Sequence, residues 1–246
     1  MREGNLTAKQ VELFTRRLQR FLERNLETII ERADLKKFDA LAAAQALGGL
    51  EQSLESLGLD EVLGGIEELY DDRLESLSDR LSRFSGKEEV INDVDVDITK
   101  ELILLDTSTV KQRVITSVRD LRAEVTRAVL SGRSNVVELV RNENDELRAR
   151  IDTELNTALS GFQGGLTKRK AEEFGFELFL YAGDIINTSR EFCIERVGKV
   201  FTREEIDKMD NGQGLDVWLY KGGYNCRHDL VPVSKKYAEE ELGADV

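Results

Sequence analysis

Two cysteines, Cys193 and Cys226, and the single histidine, His228, are the residues of this chain whose types and spacing could do distinctive chemistry. Two thiols and an imidazole are preferred zinc donors, and a small module gains stability from such a cross-link. The set is one short of a closed tetrahedral site, so a fourth ligand would come from a carboxylate such as Asp184 or Asp229, or from water. The alternative is a pair of reduced, partly buried cysteines beside a hydrogen-bonded histidine. A disulfide between Cys193 and Cys226 is the least expected state, because a chain assembled in a cytoplasm meets reducing conditions. Read as catalysis, His228 would serve as base for a cysteine nucleophile, and the two-residue step from Cys226 to His228 puts both on one face of a strand. No glycine-rich phosphate loop, GxSxG elbow or HExxH helix accompanies them, so the chain is not expected to be an enzyme.

These residues lie between Ser189 and Val233, which also hold the only tryptophan and the only proline. Thr202-Arg203-Glu204-Glu205 matches a capping box and begins a short helix to about Met209. Asn211-Gly212 and Gly214 make a turn, and Asp216 to Tyr220 has the aromatic and β-branched content of a strand. Gly222-Gly223 supplies a second turn, and Pro232 makes Val231 to Val233 extended. The sum is a compact α+β knuckle over 189–246.

The remaining chain reads as amphipathic helix. Thr7 to Gln10 matches a capping box, after which Val11, Phe14, Leu18, Phe21, Leu22, Leu26 and Ile29 form one apolar stripe to about Ala33. From Leu41 to Phe84 the helical pattern is broken at Gly48-Gly49 and Gly64-Gly65, as in a helical hairpin, and Ser85-Gly86 ends it. Ser108 can cap a helix whose inner face is Val110, Val114, Val118, Leu121, Val125 and Ala128. Ser134 begins another through Val137, Val140, Leu147, Ile151, Leu155 and Leu159, with Asn144 where an apolar residue is expected. Gly161, Gly164 and Gly165 read as a break, and Thr167 as the cap of a helix to about Ile186, dense in Phe174, Phe176 and Phe179 and buried in the core or against another subunit.

One segment does not read as helix. Val94, Val96 and Ile98 alternate with Asp93, Asp95 and Asp97, which predicts an extended arm whose backbone needs a neighbour. A calcium loop is disfavoured there, since the glycine after the third acid is missing and the twelfth position is Leu104. The expected organisation is mainly α, an elongated helical bundle with a small C-terminal α+β knuckle. It comprises a helical hairpin region (1–85), an extended arm or linker (86–105), a long-helix body (106–188) and the knuckle (189–246). The expected partner-facing residues are Val94, Val96, Ile98, Phe174, Phe176 and Phe179.

The formal charge of −13 disfavours polyanion binding, and the densest basic cluster, Lys168 to Lys170, runs straight into Glu172 and Glu173 as a solvated helix face would. Residues 1 to 10 lack the apolar core of a signal peptide, and Phe174 to Ile186 is too short and too charged to span a bilayer. A soluble protein made in the cytoplasm is expected.

Four ordered elements carry a resemblance: Ser189 to Cys193, Gly198 to Thr202, Gly222 to His228, and Val231 to Val233. Together they resemble the C-terminal signature of tailed-phage Mu F-like head-morphogenesis, or minor head, proteins. The match covers about a fifth of the chain. This chain departs in having His228 where members commonly have a second cysteine, and no histidine before the Asn-Cys pair. The resemblance implies a virion structural protein at the portal vertex, assembled in the host cytoplasm. It would be either a ring-forming head-to-tail connector (adaptor) or an internal minor head protein. Its implied partners are copies of itself, the portal protein and tail or neck proteins. DNA would pass nearby without sequence-specific binding, and an acidic channel lining would avoid trapping it.

Overall fold

The computed structural model describes residues 3–32, 40–85, 90–131 and 136–244. Among these, helices α1 (Glu3–Arg32), α2 (Ala40–Ser53), α3 (Leu59–Leu63), α4 (Gly65–Ser85), α5 (Asp93–Leu130) and α6 (Val136–Phe174) precede β1 (Leu178–Ala182). There follow α7 (Glu191–Ile194), β2 (Val200–Thr202), α8 (Arg203–Asp207), α9 (Val217–Tyr220), β3 (Asp229–Val233) and α10 (Lys235–Glu240). The fold is mainly α with a small α+β end. No helix among the described residues is long and apolar enough to cross a membrane.

The chain forms two compact units, each discontinuous in sequence. One takes Met1–Val11, Glu68–Ile103 and Thr153–Val246, the other Glu12–Glu67 and Leu104–Asp152. Both therefore draw on several of the consecutive regions expected from the sequence.

The second unit is where periodicity reads most directly into packing. Phe14, Leu18, Phe21, Leu22 and Leu26 of α1 are buried, as are Val110, Val114, Val118, Leu121 and Val125 of α5. Ile29 and Val137 fall outside the described side chains. The gap at Asn144 is buried too, its amide donating to the Gln19 carbonyl at 3.5 Å. Caps placed inside this pattern are overruled: α1 is already under way at Thr7, Ser108 lies within α5, and α2 runs through Gly48-Gly49. Isolated glycines weaken a helix without ending it when packing holds both sides.

In the first unit the alternating segment is a helix, not an arm. Asn92 and Asp95 exchange cap bonds: the Asp95 amide donates to Asn92 Oδ1 at 3.1 Å and the Asn92 amide to Asp95 Oδ2 at 2.9 Å. The acids of the first turn also meet the positive end of the helix dipole. Period two loses to this cap, and with it goes the need for a neighbouring strand. Val94 and Ile98 stand 55% and 46% exposed on α5, and Val96 is half-buried. Asp95 is buried and paired with Lys170 at 2.8 Å and Arg169 at 3.1 Å. Lys170 therefore lies in the interior, a correction to the solvated basic face.

The three glycines of α6 do not break it. Their missing side chains let α9 come close: a Cβ on Gly164 would overlap the Trp218 carbonyl oxygen and come within 2.8 Å of Leu219 Cα. The helix ends at Phe174, and Gly175, at φ +69°, turns the chain into β1. The apolar density after Phe174 thus belongs to a strand. Sheet order is β2-β1-β3, both pairings antiparallel, with Leu180 opposite Val200 and Val231. Burial on both faces explains the unbroken apolar run of β1. Phe179 and Tyr181 join the core of Cys193, Trp218, Cys226 and Leu230, while Leu178 packs with Val233 and Ala238. Phe179 is fully buried, its ring 4.9 Å from that of Trp218, so it is withdrawn as a partner-facing residue. Phe174 and Phe176 are half-buried with rings 6.0 Å apart.

Three substitutions check this packing and pairing by chemical denaturation. Gly164→Ala is expected to destabilise by roughly 2–3 kcal/mol through overlap with backbone. Gly49→Ala, where a Cβ meets nothing within 4 Å, is expected to stabilise by about 0.5 kcal/mol. Asp95→Ala removes a cap and leaves the buried Lys170 with Glu173 as its remaining carboxylate partner, with an expected loss of about 2 kcal/mol.

Candidate metal centre

Each member of the cluster is placed by a different local device. Cys193 sits in the single turn of α7. Cys226 follows α9, which replaces the strand expected at Asp216 to Tyr220. The Asp216 carboxylate accepts the Trp218 amide at 2.7 Å, and this cap curls the segment into a helical turn. Lys221, at φ 48°, then closes that turn, and Gly222-Gly223 leads to Cys226. His228 immediately precedes β3, which is extended through Pro232 as the sequence predicts. The capping box at Thr202 and Glu205 is likewise present and opens α8.

The fold brings all three together. Cys193 Sγ and Cys226 Sγ are 3.9 Å apart, Cys226 Sγ and His228 Nδ1 are 3.4 Å apart, and the three ligand atoms lie within 4.8 Å of one another. All three residues are buried. A tetrahedral zinc with sulfur and nitrogen bonds of the usual length would separate two sulfurs by about 3.8 Å and sulfur from nitrogen by about 3.6 Å. Both directly recorded edges match. His228 Nε2 is buried without a partner, so the acceptor that usually orients a metal-ligating imidazole is not supplied by the described residues. Of the two carboxylates considered for a fourth ligand, neither converges with the three: Asp229 is committed elsewhere, and Asp184 lines the neighbouring cavity. That cavity, about 340 Å³, is bordered by all three ligands and by Arg190, Asn225 and Arg227.

Two glycines are required here for space. A Cβ on Gly222 would overlap Cys193 Sγ, and one on Gly183, at φ +144°, would come within 2.6 Å of the His228 ring. The Gly222 amide donates to Cys226 Sγ at 3.3 Å, and the Tyr181 hydroxyl donates to Cys193 Sγ at 3.4 Å. The hydrogen bond from Cys193, with help from His228 and against burial, holds the Cys226 thiol down at about 3. Cys193 is pushed up by giving that hydrogen bond and by burial. Tyr181 is pushed up by burial and by the negative charge at Cys226. A thiolate beside a second thiol and an imidazole is a ready metal ligand.

Sequence reading missed the charges that hold this end of the sheet. Asp229 Oδ2 lies 3.5 Å from Arg80 Nη1 and 3.9 Å from Arg73 Nη1, both on α4, and Gln163 of α6 also bonds its carboxylate. Burial opposes ionisation, but Arg73, Arg80 and Lys221 together keep the Asp229 carboxyl below its usual range. Lys221 Nζ donates to the carbonyls of Ser160 at 3.0 Å and Leu219 at 3.3 Å. Burial brings the Lys221 amine down to about 8, with Asp229 opposing. Arg80 and Asp229 are 149 positions apart, and no local pattern announces the pair.

Compared with known proteins, the chain matches no family model, no curated protein and no solved structure.

The Lys221 amine gives a pH prediction. It keeps its proton to about 10.5 when unfolded but only to about 8 when folded, so the unfolded state binds more protons in between. Stability should rise with pH across that window relative to Lys221→Met, by at most about 1.4 kcal/mol per pH unit. Urea unfolding of both proteins at several pH values reads the difference, and parallel curves would contradict it.

Proposed function

We propose that this chain is a structural protein of a tailed-phage virion. It would stand at the portal vertex as a head-to-tail connector or minor head protein and act by assembling with copies of itself and with the portal around the DNA exit path. In this reading Cys193, Cys226 and His228 hold a zinc ion that braces the knuckle and catalyses nothing.

The observation that supports the reading is the behaviour of the four signature elements. They are separated in sequence, yet they fold into one module: Cys193 on α7, Gly198 to Thr202 leading into β2, Gly222 to His228 closing on the thiols, and Val231 to Val233 within β3. The two recorded edges of the cluster, both close to those of a tetrahedral zinc site, support the brace.

Native mass spectrometry of the full chain, alone and mixed with a tailed-phage portal protein, tests the assembly. A discrete ring or a defined complex with portal is expected. A monomer that engages neither copies nor portal would count against this role. Elemental analysis should find about one zinc per chain, lost in Cys226→Ala, as expected for a site with thiolate ligands.

A further inference from the structure

We propose that zinc held by Cys193, Cys226 and His228 keeps its fourth coordination position open to the adjoining cavity, where, flanked by Arg190 and Arg227, it binds a carboxylate. This rests on the zinc reading above and adds the identity of the fourth ligand.

The first support is the shape of the donor set. Among the described residues only three donors converge, two of their separations matching the edges of a zinc tetrahedron, so one vertex has no protein atom assigned to it. The nearest carboxylate in sequence, Asp229, is held by Arg73, Arg80 and Lys221. A closed structural site would need a fourth protein ligand; three ligands and an accessible vertex describe a site that exchanges its fourth partner.

The second support is access. All three donor residues border one cavity of about 340 Å³, large enough for a small ligand or an inserted side chain. A site closed by packing would show no such volume against its ligands.

The third support is charge. A zinc ion balanced by two thiolates is neutral, and the cavity lining then contains Arg190 and Arg227 against Asp184, a net single positive formal charge. One carboxylate neutralises it. Arg190, which lines the cavity, gives one of its N–H groups to the Tyr224 carbonyl at 2.8 Å, and this restrains its guanidinium. A guanidinium fork and a zinc ion both select carboxylate oxygen, one by paired hydrogen bonds and the other by direct ligation. The carboxylate could belong to a free acid or to an acidic side chain of an associating protein, and the chemistry is the same.

The test replaces zinc with cobalt(II) in the full chain and follows its visible absorption. Thiolate-to-cobalt charge transfer reports the Cys ligands, and the d–d bands report the fourth position. Titrated acetate is expected to shift the d–d bands saturably while leaving charge transfer in place. Arg190→Gln is expected to raise the half-saturating acetate concentration about tenfold, the loss of one charge-assisted hydrogen bond. A capped peptide with one aspartate distinguishes the sources: tighter binding than acetate assigns the site to a protein side chain, and equal binding to a free acid. Bands that acetate moves only in Asp184→Asn would give the vertex to Asp184 and overturn the proposal. Bands unmoved in both proteins would show a closed site and overturn it too. An acetate response unchanged in Arg190→Gln would remove the guanidinium from recognition. Failure to take up cobalt or zinc at all would instead sink the zinc reading on which the proposal stands.

Discussion

A single buried carboxylate, Asp229, sets the terms for the C-terminal part of the first unit. It sits at the head of β3, faces two guanidiniums of α4 and the ammonium of Lys221, and accepts a bond from Gln163 of α6. Breaking one side of such a buried pair costs far more than the pair itself contributes, because the partner is left charged in a poor solvent for charge. The sheet edge is therefore confined to positions where all these charges are matched. His228 is the preceding residue, so the same constraint decides where the imidazole stands.

The docking of α9 onto α6 depends first on shape, with Lys168 of α6 3.6 Å from the α9 cap residue Asp216. Gly164 lets the backbone at Trp218 and Leu219 approach a helix more closely than any side chain would permit. The approach brings the Leu219 carbonyl within 3.3 Å of Ser160 Oγ, and the Asn225 amide donates to Thr157 Oγ1 at 2.9 Å. Backbone polar groups of the loop carrying Cys226 thus find partners on a helix, which irregular chain in an interior must do. Trp218 completes the fit, its ring edge-on to Phe179 and its indole N–H on Asp207 at 2.8 Å.

With the loop and the strand both fixed, the cluster has little freedom. The Cys226 sulfur accepts from an amide and stands beside a second thiol and an imidazole, and glycines at 183 and 222 clear the space. Such a site is organised without a metal, so an ion binding there would meet a low ordering cost. It also explains how a residue of α7 and two residues of the loop before β3 can behave as one unit in a module with a small core.

How much of this could be read from the order of residues depends on how local its cause is. The apolar stripes of α1, α5 and α6, the capping box at Thr202, the extended run through Pro232 and the candidate trio Cys193, Cys226 and His228 all rest on neighbours within a turn or on rare residue types. Those were legible in the sequence. The alternating acids at 93–97 misled because period two is a weaker determinant than a reciprocal cap between Asn92 and Asp95 and a buried partner at Lys170. The glycines of α6 misled because their purpose lies across the interface, at Trp218 and Leu219. The strand at Phe179 and Tyr181 lacks alternation because both its faces are covered. Sequence alone determined the mainly helical class and which residues could ligate. Only the tertiary structure decided that they meet, because the forces joining them act between α4, α6, α9 and β3, segments whose proximity exists only once the chain has folded.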